Sequence, residues 1–507
     1  MNTLGLTQRL HSQAKWPLYN VAQTRSIETE AQATLPAYML MQRAGLATAQ
    51  LALAIAPHAQ KIWIACGPGN NGGDGLEAAV HLQAWGKHPI ITWLGQEGRC
   101  PADAQQAWQR AKTAGVTFTQ QIPEQFDLAI DALLGIGAQR TPEGVMVQWL
   151  DALQTTDALV LCVDIPSGLN ADTGTWLGTT KAQTRNAQRH TLSLLTLKPG
   201  LFTADGRDAS GQVWFNDLRV ETPHACTSWL QQHITTPSDR PHNTHKGSFG
   251  DVSVIGGASG MSGAAALAGV AALHGGAGRV FVGVMDASAR HAISAAHPPL
   301  MVRAPEDLNL HTSTTVCGCG GSDDIHALLP NVLSSSQQLV LDADALNAVA
   351  RDTSLQSLLI KRSARHKPTV LTPHPLEAAR LLNCTAKDVQ HNRLHAAQQL
   401  ADTFQCVVVL KGSGSIVATP DHTPVINGSG NASLATAGTG DVLAGIIGAL
   451  VATNYIEILN SSHRLAEVAA AGAFIHNHAA LEASQGAPIS ASMIIDEIPT
   501  VIRKLLK

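Results

Sequence analysis

Residues 431–450, NASLATAGTGDVLAGIIGAL, decide the fold of the second half of the chain. Small residues lead to Gly438-Thr439-Gly440-Asp441, and an uninterrupted apolar segment follows. This pattern predicts a turn that passes directly into a buried helix beginning near Gly440 or Asp441. The first turn of a helix has unpaired N–H groups and a partial positive charge, so it attracts a phosphate or a developing oxyanion. Asp441 then serves either as a helix N-cap or as a group that acts on the bound ligand.

A second glycine-rich segment lies upstream of this turn. There a β-rich run, VVVL, ends in Lys411-Gly412-Ser413-Gly414-Ser415. A strand that leads into a glycine–serine loop with one lysine suits a nucleotide phosphate, because the loop offers backbone N–H groups and a cation. It is not a P-loop, since the chain contains no GxxxxGK[ST]. The two segments together predict a nucleotide-phosphate site.

Length and composition indicate a globular enzyme of two or more domains. The 507 residues exceed one ordinary core, and 14% charged residues, 45% hydrophobic residues and 44 glycines are typical of tightly packed layers. A net charge of −4 without a basic run disfavours nucleic acid. The eight cysteines include no CxxC pair, which disfavours structural zinc and suits a reducing cytoplasm. Because neither a signal peptide nor a membrane-length apolar run is evident, we expect a cytoplasmic protein without a membrane partner.

The first half contains its own strand, glycine turn and helix. Residues 61–66, KIWIAC, predict a strand that runs into GPGNNGGDG at 67–75 and then into a helical sequence. This order is the geometry of a phosphate site. Three of the glycines also satisfy GxGxxG, so a Rossmann oxidoreductase is an alternative. Against it, the next predicted strand ends without a clearly placed ribose acid, and the asparagines and aspartate of the turn exceed what that fingerprint needs.

Two further predicted strands of the first half end in polar side chains. DLAIDALLGIG places Asp131 at the end of an apolar run, and LVLCVDIPSG places Asp164 and Ser167 at the end of another. In an open parallel sheet, ligands bind at the carboxyl ends of the strands. We therefore expect these three residues to converge with residues 70–74 on one crevice. For each aspartate alone, a turn or helix-cap role is the alternative.

Polar groups also mark predicted strand ends in the second half. LVLDADALN places Asp342, Asp344 and Asn347 at a strand-to-helix junction, where capping and packing are alternatives to ligand binding. TPHPLE holds His374 between two prolines, which restrict the backbone around it, and Glu377 opens the next predicted helix. A lone histidine is more often structural, so the residues alone leave a structural role and a ligand-binding role open for His374.

Taken together, HKGSFG, KGSGS, NGSGNAS and AGTGD resemble the ribokinase-like fold and, within it, the ADP-dependent NAD(P)H-hydrate dehydratases. GPGNNGGDG, DALLGIG and VDIPSG resemble the NAD(P)H-hydrate epimerases. The resemblance implies an α/β protein of two domains, with a polar, proline-bearing join at 221–245. Residues 1–222 would form a Rossmann-like three-layer α/β/α sandwich, and residues 228–507 a ribokinase-like α/β/α domain. The implied activity is repair of hydrated NADH and NADPH: the first domain interconverts the R and S epimers, and the second dehydrates the S epimer with ADP, giving AMP and phosphate.

For the first domain, the resemblance also assigns residues to a substrate and an ion. Hydrated nucleotide would be bound by Asn70, Asn71, Gly72, Gly73, Asp74, Gly135, Ile136, Gly137, Ala138, Gln139, Arg140, Thr141 and Asp164. A potassium ion would be held by the oxygens of Asn71, Asp131 and Ser167, and oxygen-only ligands suit such a hard cation. Asp164 is the first candidate for the acid/base that inverts carbon 6, and Asp131 is the second.

For the second domain, the implied sites take the hydrated nucleotide, ADP and magnesium. Substrate is assigned to Ala264, Gly320, His374 and Asp441, and ADP or AMP to Lys411, Gly412, Ser413, Gly414, Ser415 and Gly440. Asp441 would be the base toward the ring hydroxyl that attacks ADP, and Glu377 would help to organise a magnesium ion. The helix N-terminus should stabilise ionised Asp441 and make it a weaker base. Cys319 stands where the family's turn has proline, and Ala437 where its last turn usually begins with glycine.

Two rival functions share parts of the pattern. A ribokinase-like small-molecule kinase, acting for instance on a vitamin alcohol, would explain the second half. The first half would then be a non-catalytic nucleotide-binding or interaction module. The intact set Asn71, Asp131, Asp164 and Ser167 favours a working first site. We also expect a homo-oligomer, tetrameric or larger.

Overall fold

A computed structural model describes residues 5–10, 15–178, 188–222, 225–234, 242–460 and 462–506. The chain divides into two compact units, Met1–Leu230 and Gln231–Lys507. Parts of the predicted join, residues 223–224 and 235–241, lie outside the described residues, so the functional limits at 222 and 228 stay predictions. Within the described ranges, no helix combines the length and apolar character needed to cross a membrane.

The first unit is built on a largely parallel sheet of eight strands. Its elements in chain order are β1 (Gln8–Arg9), β2 (Lys15–Leu18), α1 (Val21–Thr34), α2 (Met39–Ile55), β3 (Lys61–Cys66), α3 (Asn70–Ala84), β4 (His88–Trp93), α4 (Ala102–Thr113), β5 (Thr117–Thr119), β6 (Leu128–Ala132), α5 (Val145–Thr155), β7 (Leu159–Val163), β8 (Arg189–Leu194), α6 (Gly206–Ser210), β9 (Gln212–Asn216) and β10 (Ser228–Gln231). The strand order is β1-β9-β8-β7-β6-β3-β4-β5, and only β1 runs antiparallel to its neighbour.

Both faces of this sheet are covered. Along β3, Ile62, Ile64 and Cys66 belong to one core, while Trp63 and Ala65 belong to the other. Alternate residues of a strand point to opposite faces, so the near-continuous apolar run KIWIAC is what a strand buried on both sides requires. Helices α1–α4 contribute to the first core and α5 to the second. The predicted three-layer arrangement follows from this.

In the second unit, nine strands are hydrogen-bonded side by side in the order β13-β12-β11-β14-β15-β16-β17-β18-β19. Its elements in chain order are β11 (Asp251–Gly256), α7 (Ser262–His274), β12 (Arg279–Val284), α8 (Arg290–Ala296), β13 (Met301–Arg303), β14 (Thr314–Cys317), α9 (Leu329–Ser335), β15 (Gln338–Leu341), α10 (Ala343–Arg351), α11 (Thr353–Ala364), β16 (Thr369–Leu371), α12 (Pro375–Leu382), α13 (Ala386–His391), α14 (Arg393–Phe404), β17 (Val407–Leu410), β18 (Ser415–Ala418), β19 (Val425–Asn427), α15 (Thr439–Thr453), α16 (Tyr455–Asn460), α17 (Ser462–Ser484) and α18 (Ala491–Leu505).

The seven strands from β13 to β17 in this sheet order are parallel to their neighbours. Strands β18 and β19 add an antiparallel edge. The apolar helix α15 packs against α7 and α17 and against the sheet, in the main core of the unit. Parallel strands place their carboxyl ends at one edge of a sheet. The loops that follow β14, β15, β16 and β17 therefore meet at one edge, beside the start of α15. The predicted α/β architecture of both halves is confirmed.

Candidate active sites

A cavity of about 470 Å³ opens at the carboxyl ends of β3, β6 and β7, which are neighbours in the sheet. Of the predicted substrate-binding residues, the structure brings these to its walls: Asn70, Asn71, Asp74, Gly135, Ile136, Gly137, Ala138 and Asp164. Gly72, Gly73, Gln139, Arg140 and Thr141 are not among the lining residues. The cavity thus lies at the edge of the sheet where the strand ends predict a ligand site.

The asparagine-rich segment is helical. The sequence suggested a turn through residue 75, but α3 begins at Asn70, with Gly69 as its N-cap. The glycines that resemble a loop instead allow close packing: a Cβ on Gly73 would lie 2.7 Å from the Met41 side chain. Asp74 consequently projects from the helix into the cavity instead of lying in a loop.

Asp164 is held by a lysine that the sequence analysis did not select. The residue has a left-handed backbone conformation, φ 66°, directly after β7. Its Oδ1 accepts a hydrogen bond from the Leu194 backbone N–H at 3.1 Å and another from the Lys198 ammonium. Lys198 is fully buried. The sequence does contain a sign that Lys198 lies near the site, because this lysine follows the apolar run in LSLLTLKPG just as Asp164 follows the apolar run of β7.

Three more acidic side chains face the same cavity: Glu28 on α1, Asp74 on α3 and Asp103 on α4. Burial, together with the neighbouring carboxylates, raises the pKa of Asp74 well above its usual value. Burial and the charge of Asp164 likewise raise the pKa of Glu28. No sequence signal marked Glu28, because glutamates on helices are usually solvated. The cavity therefore combines a lysine-paired carboxylate with two acids, Glu28 and Asp74, whose pKa values are raised by burial.

The three residues expected to hold potassium lie on adjoining segments. Ser167 donates to Asp131 through both its hydroxyl (2.5 Å) and its backbone N–H (3.0 Å), and Asp131 is buried. Asn71 lies against the next loop, since a Cβ on Gly135 would be 3.4 Å from its Oδ1. The Asn71 side-chain nitrogen is buried with no hydrogen-bond partner. The oxygens of Asn71, Asp131 and Ser167 form an all-oxygen donor set, which fits a large hard cation.

In the second unit, Asp441 is not the cap of its helix. Helix α15 begins at Thr439, and Gly438, with φ 88°, occupies the N-cap position without a side-chain hydrogen bond. Such a left-handed backbone suits glycine, which has no Cβ. The start lies one to two residues before the predicted one. Because the cap position is already taken, the capping alternative for Asp441 is wrong, and its carboxylate in the first turn is free to meet a ligand.

Three charged residues meet beside this helix start. The Lys411 ammonium lies 2.6 Å from Asp342 Oδ1 and 3.9 Å from Glu377 Oε2. A Cβ added to Gly440 would lie 3.3 Å from the same ammonium nitrogen. Asp342 occupies the N-cap position of α10 but makes no side-chain cap bond, so the capping alternative fails here as well. Asp344 instead accepts a bond from the Ser322 N–H, and Asn347 accepts one from Arg380.

Asp441 also neighbours Cys319, which lies in the turn after β14. Potential ligand atoms of Cys319, Asp342 and Asp441 lie within 4.8 Å of one another. Burial raises the pKa of Asp441 to about 7, and repulsion from Asp342 is the second largest cause of this shift. The Cys319 thiol and Lys411 act in the opposite direction. The expectation that Asp441 is a weaker base is therefore wrong, because burial disfavours the charged carboxylate and raises its pKa.

His374 has a structural role that the sequence did not specify. It is the N-cap of α12: its Nδ1 accepts bonds from the N–H groups of Leu376 and Glu377, and Glu377 accepts one from the His374 N–H. The imidazole remains half exposed, with Nε2 3.2 Å from Glu377 Oε1. Burial raises the pKa of Glu377 to about 7. Capping thus fixes the imidazole ring beside Glu377, at the edge of the charged cluster, where the ring can still contact a ligand.

The remaining predicted residues form two groups. Ala264 and Gly320 are adjacent, since a Cβ on Gly320 would lie 2.9 Å from the Ala264 Cβ. Residues 411–414 connect the antiparallel strands β17 and β18. Behind this loop lies buried Arg393, another residue missed from the sequence, whose guanidinium donates to the carbonyls of Lys411 (3.2 Å) and Gly414 (3.4 Å). A helical arginine carries no sequence sign of such a contact.

Comparison with known proteins places both halves of the chain in one family. The NAD(P)H-hydrate dehydratase family model matches residues 252–501, and the model described as YjeF-related protein N-terminus matches residues 37–200. The bifunctional NAD(P)H-hydrate repair enzyme of Escherichia coli is 36% identical over 441 residues, covering 82% of this chain and 81% of that protein. The Coxiella burnetii enzyme of the same description is 34% identical over 488 residues, covering 92% and 95%.

Among solved structures, an ADP/ATP-dependent NAD(P)H-hydrate dehydratase from Bacillus subtilis is 26% identical. It covers 53% of this chain and 95% of that chain, with a TM-score of 0.45. The two family models together define a two-domain protein with a YjeF-related first half and a second half of the NAD(P)H-hydrate dehydratase type. The full-length relatives are more specific: the chain belongs to the bifunctional NAD(P)H-hydrate repair enzymes. The predicted family is confirmed and is favoured over the oxidoreductase and vitamin-kinase alternatives.

Proposed function

We propose that the two sites act in sequence on hydrated NADH and NADPH. The first unit interconverts the R and S epimers, and the second dehydrates the S epimer with ADP, releasing AMP and phosphate. The observation that carries the proposal is the Asp441 carboxylate in the first turn of α15, beside the Lys411–Asp342 pair. A carboxylate poised next to a helix N-terminus and a phosphate-directed lysine suits proton removal coupled to phosphoryl transfer.

In the second unit, Asp441 accepts the proton of the C6 hydroxyl as that oxygen bonds to the β-phosphorus of ADP. The bond between the β-phosphorus and the bridging oxygen breaks, and AMP leaves with the electron pair. The C6–O bond of the phosphate ester then breaks, driven by the lone pair of the ring nitrogen, and loss of the C5 proton restores the dihydronicotinamide. The N–H groups at the start of α15 and Lys411 stabilise the charge on the transferring phosphoryl group.

Magnesium fits the oxygen donors of this site, because Asp342 and Glu377 provide hard carboxylate ligands beside the phosphate loop. Those two residues would hold it. When bound, it would neutralise charge on the ADP phosphates. Cys319, a soft thiol, is not suited to magnesium.

In the first unit, Asp164 is the acid/base at carbon 6, and the buried Asp131 is better placed to organise the potassium site. Asn71, Asp131 and Ser167 would hold that ion, which would supply a fixed positive charge near the nucleotide phosphates. Exchange of potassium for tetramethylammonium should slow epimerisation and leave dehydration unchanged. An epimerisation rate that is independent of potassium would contradict this assignment.

The decisive experiment gives the pure protein a mixture of R and S hydrated NADH with ADP, with ATP, or without nucleotide. We expect the absorbance of reduced nicotinamide to rise to completion with ADP, one AMP and one phosphate being released per turnover, and to stay flat without nucleotide. An Asp441→Asn sample controls for contaminating activity. No gain in absorbance with either nucleotide would refute the proposal.

The cytoplasmic location and the tetrameric or larger assembly stay predictions. Sedimentation velocity would test the assembly.

A further inference from the structure

Lys198 is the one lysine in the described residues that is completely buried while it contacts a cavity-lining carboxylate. A buried ammonium is costly unless acceptors surround it. Three acceptors do: Asp164 Oδ1, the Leu194 carbonyl at 2.7 Å and the Ser193 hydroxyl at 3.4 Å. An ammonium has three N–H bonds, so all its donors are engaged. Lys198 therefore has no proton positioned for a ligand, and its effect must pass through Asp164.

The two oxygens of Asp164 have different surroundings. Oδ1 accepts from both Lys198 and the Leu194 N–H, whereas no donor within the described parts of the chain reaches Oδ2. The side chain lines the cavity and keeps 14% of its surface exposed. The left-handed backbone at Asp164 fixes the direction in which its side chain leaves the strand end. Oδ2 is thus the oxygen presented to a ligand.

We propose that Lys198 is the positioning residue of epimerisation, holding Asp164 by Oδ1 so that Oδ2 is the atom that exchanges a proton with the substrate. This inference rests on the proposed role of Asp164 in the first unit. It extends that role to a specific oxygen atom and to a residue from another strand end.

The surrounding charges give Lys198 an electrostatic role in addition to its positioning role. Glu28 from α1, Asp74 from α3 and Asp103 from α4 face Asp164 across the cavity, and Arg25 of α1 is the other cation in the lining. Like charges this close oppose ionisation of one another, and an opposite charge favours it. Loss of the ammonium should therefore move the acidic limb of the epimerisation pH profile to higher pH. A purely structural lysine would not do this.

The test uses the full chain and follows conversion of R to S hydrated NADH without ADP, with the epimers separated by chromatography. For Lys198→Met we expect kcat to fall about 10²-fold, as misplacement of a reacting group typically causes, with little change in KM. The acidic limb should move to higher pH. In Lys198→Ala, whose short side chain leaves space at this buried position, ethylammonium should restore part of the rate, whereas sodium at equal ionic strength should not. Dehydration of the S epimer with ADP should be unaffected. Lys61→Met, exposed at the amino end of β3, is the matched control.

Each outcome distinguishes the inference from the proposed function. A Lys198→Met protein with unchanged rate and pH profile overturns the inference, even if Asp164→Asn abolishes epimerisation. A slower variant with an unmoved acidic limb and no rescue by ethylammonium also overturns it, because the lysine is then only structural. If Asp164→Asn itself retains epimerase activity, the proposed role of Asp164 is wrong, and the inference about Lys198 is overturned with it. Should Lys198→Met not fold, Lys198→Gln, which keeps an N–H donor without the charge, must show the same shifted profile.

Discussion

The ammonium nitrogen of Lys411 lies 2.6 Å from Oδ1 of Asp342, so the lysine of the proposed phosphate loop is already engaged by a carboxylate in the second unit. Burial alone would lower the pKa of Lys411, but Asp342 and Glu377 together raise it. Asp342 is held in turn by the Thr372 hydroxyl at 2.8 Å. A phosphate that enters the loop must therefore meet a lysine that is charged and fixed in place, instead of ordering a flexible side chain.

This pair predicts the effect of Lys411→Ala. Loss of a charge-assisted contact to phosphate should raise the Kd for ADP about 10- to 100-fold, while the affinity for the hydrated nucleotide changes less. Isothermal titration measures both, and Lys361→Ala, on the exposed face of α11, is the control. An unaltered Kd for ADP would contradict the phosphate-loop assignment. Gly412→Val is a poor probe, because Gly412 has φ 136° and a Cβ there would lie 2.8 Å from the Arg393 guanidinium.

Asp441→Asn tests the base. The substitution keeps the size of the side chain but removes its ability to accept a proton, so dehydration of the S epimer should slow by at least about 10²-fold. ADP binding should persist, since Lys411 and the helix N–H groups remain. Stopped-flow absorbance and ADP titration on the same sample separate the two effects. Retention of more than half of the wild-type rate would show that another group removes the proton.

The raised pKa of Asp441 predicts a pH dependence. Because a base must be ionised, dehydration should slow as the pH falls through about 7. The same shift affects stability. A carboxyl with a higher pKa in the folded state stabilises the fold below its unfolded value near 3.8, and this contribution is lost as the pH rises through about 7. Asp441→Asn should thus raise the Tm near pH 8, and the gain should shrink toward pH 5. An equal Tm difference at both pH values would contradict the assigned pKa.

Asp164→Asn separates the two activities. With mixed epimers and ADP, the wild type should convert all substrate, because epimerisation in the first unit supplies the second. The variant should convert the S fraction quickly and then continue only at the spontaneous epimerisation rate, so its progress curve has two phases. Asp157→Asn, before β7, serves as the control. A single phase that runs to completion at the wild-type rate would mean that Asp164 is dispensable.

Much of both candidate sites could be predicted from sequence, because the sequence patterns that mark them are local. Strand, glycine turn and helix follow one another within about 30 residues in a unit of this kind, and strand ends in a parallel sheet converge whatever lies between them. Asn70, Asn71, Asp74, Asp131, Asp164 and Asp441 were predicted on that basis. The same reasoning put a loop where α3 begins, because glycines that pack against Met41 resemble glycines that turn the chain.

Only the tertiary structure decided the partners of these groups and hence their chemistry. Lys198 meets Asp164 from 34 positions away, and Lys411 meets Asp342 from 69, because the order of strands in the sheet brings those ends together. The sequence around Asp441 contains a helix start, which argues for a stronger acid, whereas burial and Asp342 make it a weaker one. Local sequence determined which residues stand at the strand ends. Desolvation and the charges of distant residues decided their protonation, because both depend on the surrounding fold.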